Sequence, residues 1–98
     1  MNLSRGGFMD KVHCAHILVK TEQEARAIYD QINKGANFSK LAMEKSQCPS
    51  GKKGGDLGTF TRGRMVREFE NAAFSLQKGQ ISQPVKTEFG WHVIKRLE

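Results

Sequence analysis

Lys11-Val12-His13-Cys14-Ala15-His16-Ile17-Leu18-Val19-Lys20 has the length and the Val and Ile content of a β-strand. Alternation sets Val12, Cys14, His16 and Leu18 on one face and His13, Ala15, Ile17 and Val19 on the other. Both faces are largely apolar. Such a strand is expected in the middle of a sheet, covered on both sides.

Reading onward, Thr21-Glu22-Gln23-Glu24 is a capping-box sequence, and Ala25, Ile28, Tyr29 and Ile32 repeat at helical spacing up to Gly35. Asn37 is the expected N-cap of a shorter helix that turns Phe38, Leu41 and Ala42 inward. Residues 46–55, SQCPSGKKGG, read as a loop, and Asp56 to Phe60 as a short strand. Phe69, Ala72, Ala73 and Leu76 mark a third helix closed by Gly79. An extended stretch follows from Ile81 to Val85, then a turn at 87–90 and a last strand over 91–97. In that strand His92 and Ile94 share one face, and Trp91, Val93 and Leu97 the other. This order predicts an α+β domain, an antiparallel sheet covered by helices. Met9-Asp10-Lys11 reads like a natural start. Residues 1–9 are therefore expected to be a flexible arm or vector remnant, and 10–98 a single domain.

The whole chain has 98 residues, 38% hydrophobic and 27% charged, which suits one globular domain with a modest core. No apolar run approaches a membrane span, and the first nine residues lack the apolar stretch of a secretory signal. Cys14 and Cys48 are too few for a disulfide framework and lack zinc-site spacing, so no metal and a reducing, cytoplasmic setting are expected. There is no P-loop, dinucleotide fingerprint or H-E-x-x-H motif, which leaves phosphoryl transfer, hydride transfer and zinc hydrolysis without support. The net charge of +6 suits a soluble monomer or a weak polyanion contact. Its local form is the cluster Lys52, Lys53, Arg62, Arg64 and Arg67, broken only by Asp56. Aromatic interleaving and a helix-turn-helix pattern, the usual company of nucleic-acid contacts, are missing.

His16 and His92 sit inside strands among apolar neighbours, where a histidine is more often a hydrogen-bonded core residue than a catalyst. Cys48 lies in a glycine-rich loop, where packing gives little reason for a cysteine; an inert thiol is the plain alternative. Leu57, Met65 and Phe69 belong either to the core or to a shallow apolar pocket facing that loop. Periodicity does not choose between these readings.

Taken together, four segments in order resemble the parvulin-type peptidyl-prolyl cis/trans isomerases. They are Cys14–Lys20, the loop CPSGKKGGDLGTF (Cys48–Phe60), RGRMVREFE (Arg62–Glu70) and FGWHVIKRL (Phe89–Leu97). The resemblance implies a four-stranded antiparallel sheet surrounded by about four helices, proline-containing polypeptide substrates, help to protein folding and no cofactor. It assigns His16 and His92 to a histidine pair at the floor of the site. Thr87 would hydrogen-bond into that pair, and Cys48 would lie beside the rotating amide. Leu57, Met65 and Phe69 would form the proline pocket. One departure is Arg67, where related chains often carry proline before the pocket helix. Whether Cys48 acts as donor, thiolate or nucleophile is open on sequence, although a reaction that breaks no bond favours a non-covalent role. Activity is expected to fall as the histidine pair is protonated between pH 8 and 5. The rival class is a binding module, chaperone-like or a basic adaptor, using the same pocket without catalysis. Phospho-specific parvulins place paired arginines in a loop after the first strand; here Thr21 follows Lys20 directly and no such pair exists.

Overall fold

A computed structural model describes residues 11–98; the arm assigned to residues 1–9 lies outside the described residues. The elements are β1 (Lys11–Val19), α1 (Glu22–Asn33), α2 (Phe38–Lys45), a 3₁₀ turn (Pro49–Lys53), β2 (Asp56–Thr61), α3 (Arg67–Ser75), β3 (Val85–Thr87) and β4 (Gly90–Arg96). The strands form one antiparallel sheet in the order β2-β1-β4-β3. The fold is the expected one, with three α-helices and a 3₁₀ turn in place of about four helices.

β1 is central, and its alternation divides the core in two. Ala15, Ile17 and Val19 pack with Ala25, Ile28, Phe38, Leu41 and Ala42 of α1 and α2. Val12 and Cys14 pack with Ile94, Phe60, and Phe69 and Ala73 of α3. Local chemistry sets the helix starts. Thr21 Oγ1 accepts from the Glu24 N–H while a Glu24 carboxylate oxygen accepts from the Thr21 N–H, closing the capping box. Asn37 caps α2 through Lys40 N–H. α3 begins at Arg67, behind an N-cap, Val66, that offers no side-chain bond. The missing proline therefore does not prevent the helix from starting there.

Three boundaries differ from expectation. Residues 49–53 are a 3₁₀ turn inside the predicted loop, entered by Pro49 and closed by Gly54 at φ +71°. α3 ends at Ser75, and Gly79 instead donates its N–H to the Arg96 carbonyl. The stretch before β4 pairs only at Ile81–Lys95 before β3 begins at Val85, because Pro84 has no N–H to give a ladder.

Candidate active site

The face of the sheet under α3 carries the site. β1 and β4 run antiparallel with His16 opposite Ile94 and Leu18 opposite His92. His16 and His92 are therefore diagonal neighbours on one face, within reach of each other. Their Nδ1 atoms lie 2.9 Å apart and both side chains are buried. Thr87, at the end of β3, puts Oγ1 2.7 Å from His92 Nε2 and accepts the Phe89 N–H at 3.1 Å.

Two proton arrangements satisfy these bonds, because the Thr87 hydroxyl has two lone pairs and, while accepting the Phe89 N–H, can either donate to His92 Nε2 or accept from it. In the first, His92 donates from Nδ1 to His16 Nδ1 and His16 carries its proton on Nε2; in the second, His16 donates from Nδ1 to His92 Nδ1 and its Nε2 is unprotonated. That atom is buried and has no hydrogen-bond partner. Both rings are neutral. Burial, and for His16 also the neighbouring His92, lowers each from the ordinary 6.5 to about 4. The expected loss of activity between pH 8 and 5 is therefore moved down in pH. kcat/KM should stay flat from pH 8 to about 5 and fall as pH approaches 4. Between 6.5 and 4 the unfolded chain binds protons that the folded pair refuses, so stability also declines as pH drops through this window. Parallel kcat/KM and thermal-melt profiles check both; a midpoint near 6.5 contradicts a neutral, buried pair.

Above the histidines opens a pocket of about 490 Å³. Its lining includes His16 and His92, the expected Leu57, Met65 and Phe69, and Cys48. Phe69, on the first turn of α3, stands edge-on to both imidazoles with ring centres 5.5 Å from His16 and 5.2 Å from His92. Met65 lies in the connection before α3, two residues ahead of the helix. Cys48 is half-buried at the rim, and its Sγ accepts the Ser50 hydroxyl at 3.2 Å. The sequence reading missed Leu18, Gln47, Pro49, Val66 and Phe89. Of these, Phe89 had a usable signal: an aromatic residue on a hairpin turn has no packing reason to be there. It is 62% exposed.

Leu57 enters the pocket through an irregularity. Between Thr59 and Asp56 lie two residues of β2, yet between their partners His13 and Ala15 lies only Cys14. This β-bulge at Leu57-Gly58, with Gly58 at φ +75°, shifts the alternation by one. Counting back from buried Phe60, strict alternation would turn Leu57 away from α3; the bulge turns it toward α3.

Arg62 sits 3.6 Å from Glu70 and over the Phe74 ring, whereas Arg64 lines the pocket. Among the described residues no group of three His, Cys, Asp or Glu side chains could hold a metal ion. None of the described helices is long and apolar enough to cross a membrane.

An apolar pocket floored by a neutral histidine pair, with a thiol on its rim, suits an uncharged apolar group. Comparison with known proteins agrees. The rotamase family of PPIC-type PPIase domains matches residues 16–98. The foldase protein PrsA of Geobacillus kaustophilus is 51% identical over 89 residues, which is 90% of this chain and 32% of that protein. The parvulin NmPin of Nitrosopumilus maritimus, solved in solution, superposes with a TM-score of 0.83 at 51% identity, over 91% of this chain and 97% of NmPin. The crystal structure of the peptidylprolyl isomerase PrsA from Bacillus anthracis gives 0.87 at 47% identity, over 88% of this chain and 40% of that one. The chain belongs to the parvulin family of peptidyl-prolyl isomerase domains. It spans about a third of the length of the curated relatives it matches.

Proposed function

We propose that this domain catalyses cis/trans isomerisation of Xaa-Pro bonds in unfolded or flexible polypeptide, and so assists folding. The observation that carries this reading is the neutral, buried His16–His92 pair at the floor of an apolar pocket. Peptide-bond rotation faces about 18–20 kcal/mol, so uncatalysed Xaa-Pro bonds turn over in tens to hundreds of seconds. A gain of roughly 10⁴-fold needs about 5.5 kcal/mol off the barrier. No bond is broken, so binding the twisted amide better than either planar form is enough.

Leu57, Met65 and Phe69 would grip the pyrrolidine ring and strip water from the amide, which disfavours its polar planar forms. His16, His92 and Thr87 would supply an uncharged floor held rigid by two hydrogen bonds. Cys48 would meet the carbonyl non-covalently. Both Nδ1 atoms and His92 Nε2 are engaged in hydrogen bonds, and the remaining ring nitrogen, His16 Nε2, is buried and makes no hydrogen bond to the thiol.

The residue before proline is held loosely. Thr21 caps α1 directly after β1, and Arg26, further along that helix, pairs with Glu22 at 3.7 Å on the exposed surface. With no arginine pair after β1 among the described residues to clamp a phosphate, the proposed specificity is broad, tilted toward Glu or apolar residues, with Lys52, Lys53 and Arg64 favouring the Glu. Exposed contacts of that kind are worth about 0–1 kcal/mol and fade with salt. Isomerisation rates for peptides with Ala, Leu, Glu, Lys or phosphoserine before proline test function and specificity together. Acceleration of all five within about tenfold is expected; a phosphoserine preference above about a hundredfold, near 2.7 kcal/mol, contradicts the reading.

We further propose a cytoplasmic monomer with at most a weak polyanion contact through Lys52, Lys53, Arg62, Arg64 and Arg67. Two features support this. Both cysteines are free, and among the described residues only Met43 and Phe89 are large exposed apolar side chains.

A further inference from the structure

We propose that Asp56 is a positioning residue for the proline pocket: its carboxylate holds the β2 bulge that presents Leu57 to the substrate. A single oxygen, Oδ1, accepts the Gly58 N–H at 2.8 Å and lies 2.7 Å from His13 Nε2. The first bond fixes the backbone of the bulge itself. The second ties the bulge to β1, on the sheet face away from the pocket, where Asp56 sits opposite Ala15.

Asp56 is itself remote from the reacting amide. Its side chain is 44% exposed and it does not line the pocket. Its importance lies in register. Without the extra residue, alternation from Phe60 would carry Asp56 to the pocket face and Leu57 to the opposite one. The carboxyl is held below its usual range, chiefly by the Gly58 N–H and then by His13, as expected of an anion with this set of donors. Gly58 contributes the positive φ, and a Cβ there would meet nothing within 4 Å. No side chain therefore packs against Gly58 itself, and its N–H is held by Asp56.

This inference rests on the isomerase reading, and a double-mutant cycle separates the two. The variants are Asp56→Ala, Leu57→Ala and both together, assayed for kcat and KM on an Ala-Pro peptide. Each single change is expected to lower kcat/KM about tenfold, mostly through KM, and the pair no further than Leu57→Ala alone. Asp56→Asn keeps an amide oxygen that accepts the Gly58 N–H and should stay within about twofold of the parent. Losses that multiply to about a hundredfold, or an Asn variant as poor as the Ala one, overturn the proposal. If the parent domain shows no catalysis, the isomerase reading fails by itself. The Leu57 methyl shifts, sensitive to the aromatic rings that line the same pocket, then still decide the positioning claim: unchanged shifts in Asp56→Ala overturn it.

Discussion

Phe69→Ala is expected to reduce isomerisation to the uncatalysed rate and to lower the melting temperature by about 12 °C or more. The ring is 3% exposed and joins two networks. It packs with Phe60 and Ala73 in the core under α3 and stands edge-on to both histidines. Truncating a buried phenylalanine costs about 3–5 kcal/mol, and in a domain of this size each kcal/mol is worth roughly 4–8 °C. Phe69→Leu separates the two effects. It restores most of the apolar volume and should recover most of the stability. The aromatic edge against the imidazoles is not restored, so activity should stay about tenfold down. Melting curves and kcat/KM on both variants check this; parental kcat/KM in Phe69→Ala contradicts the pocket.

Gly55→Ala is the second large expected effect, and it acts through backbone. Gly55 lies at φ +85°, its carbonyl accepts the His16 N–H at 3.0 Å, and a Cβ there would collide with the His16 carbonyl oxygen. Relieving that clash shifts the loop or β1 at His16, whose ring is paired with His92. A loss of more than about a hundredfold in kcat/KM is expected, with altered imidazole ¹⁵N shifts as the Nδ1–Nδ1 bond breaks. Gly35→Ala is the comparison. Gly35 also has positive φ, but a Cβ there meets nothing within 4 Å. Only a strain of about 1 kcal/mol is expected, with unchanged activity.

These two glycines show where sequence reasoning reaches and where it stops. What is local is legible. The two apolar faces of β1, the Thr21 capping box and the Asn37 cap follow from neighbours a few residues apart, and the structure forms each as read. Alternation also puts His16 and His92 each on a definite strand face. That the two meet depends on the β1–β4 register, a pairing across 76 residues that no local rule supplies. Only the resemblance to parvulins brought them together in advance. The bulge was hidden for the opposite reason: Asp56-Leu57-Gly58-Thr59-Phe60 reads as a plain strand, and its extra residue shows only against the partner strand. Solvent exclusion was likewise unreadable. It lowers both histidines to about 4, well below the ordinary 6.5 of an exposed imidazole.

Catalysis by differential binding is tested most directly by exchange between the cis and trans resonances of an Ala-Pro peptide, with the domain at roughly one-hundredth of an equivalent. A catalyst turns over, so exchange cross-peaks should appear within the mixing time and grow in proportion to the domain added. They should vanish with Phe69→Leu at the same concentration or require about tenfold more of it. A binding module behaves otherwise. It broadens and shifts both sets of lines as the pocket fills while the exchange rate stays at the uncatalysed value, and that result contradicts an isomerase built on the His16–His92 floor.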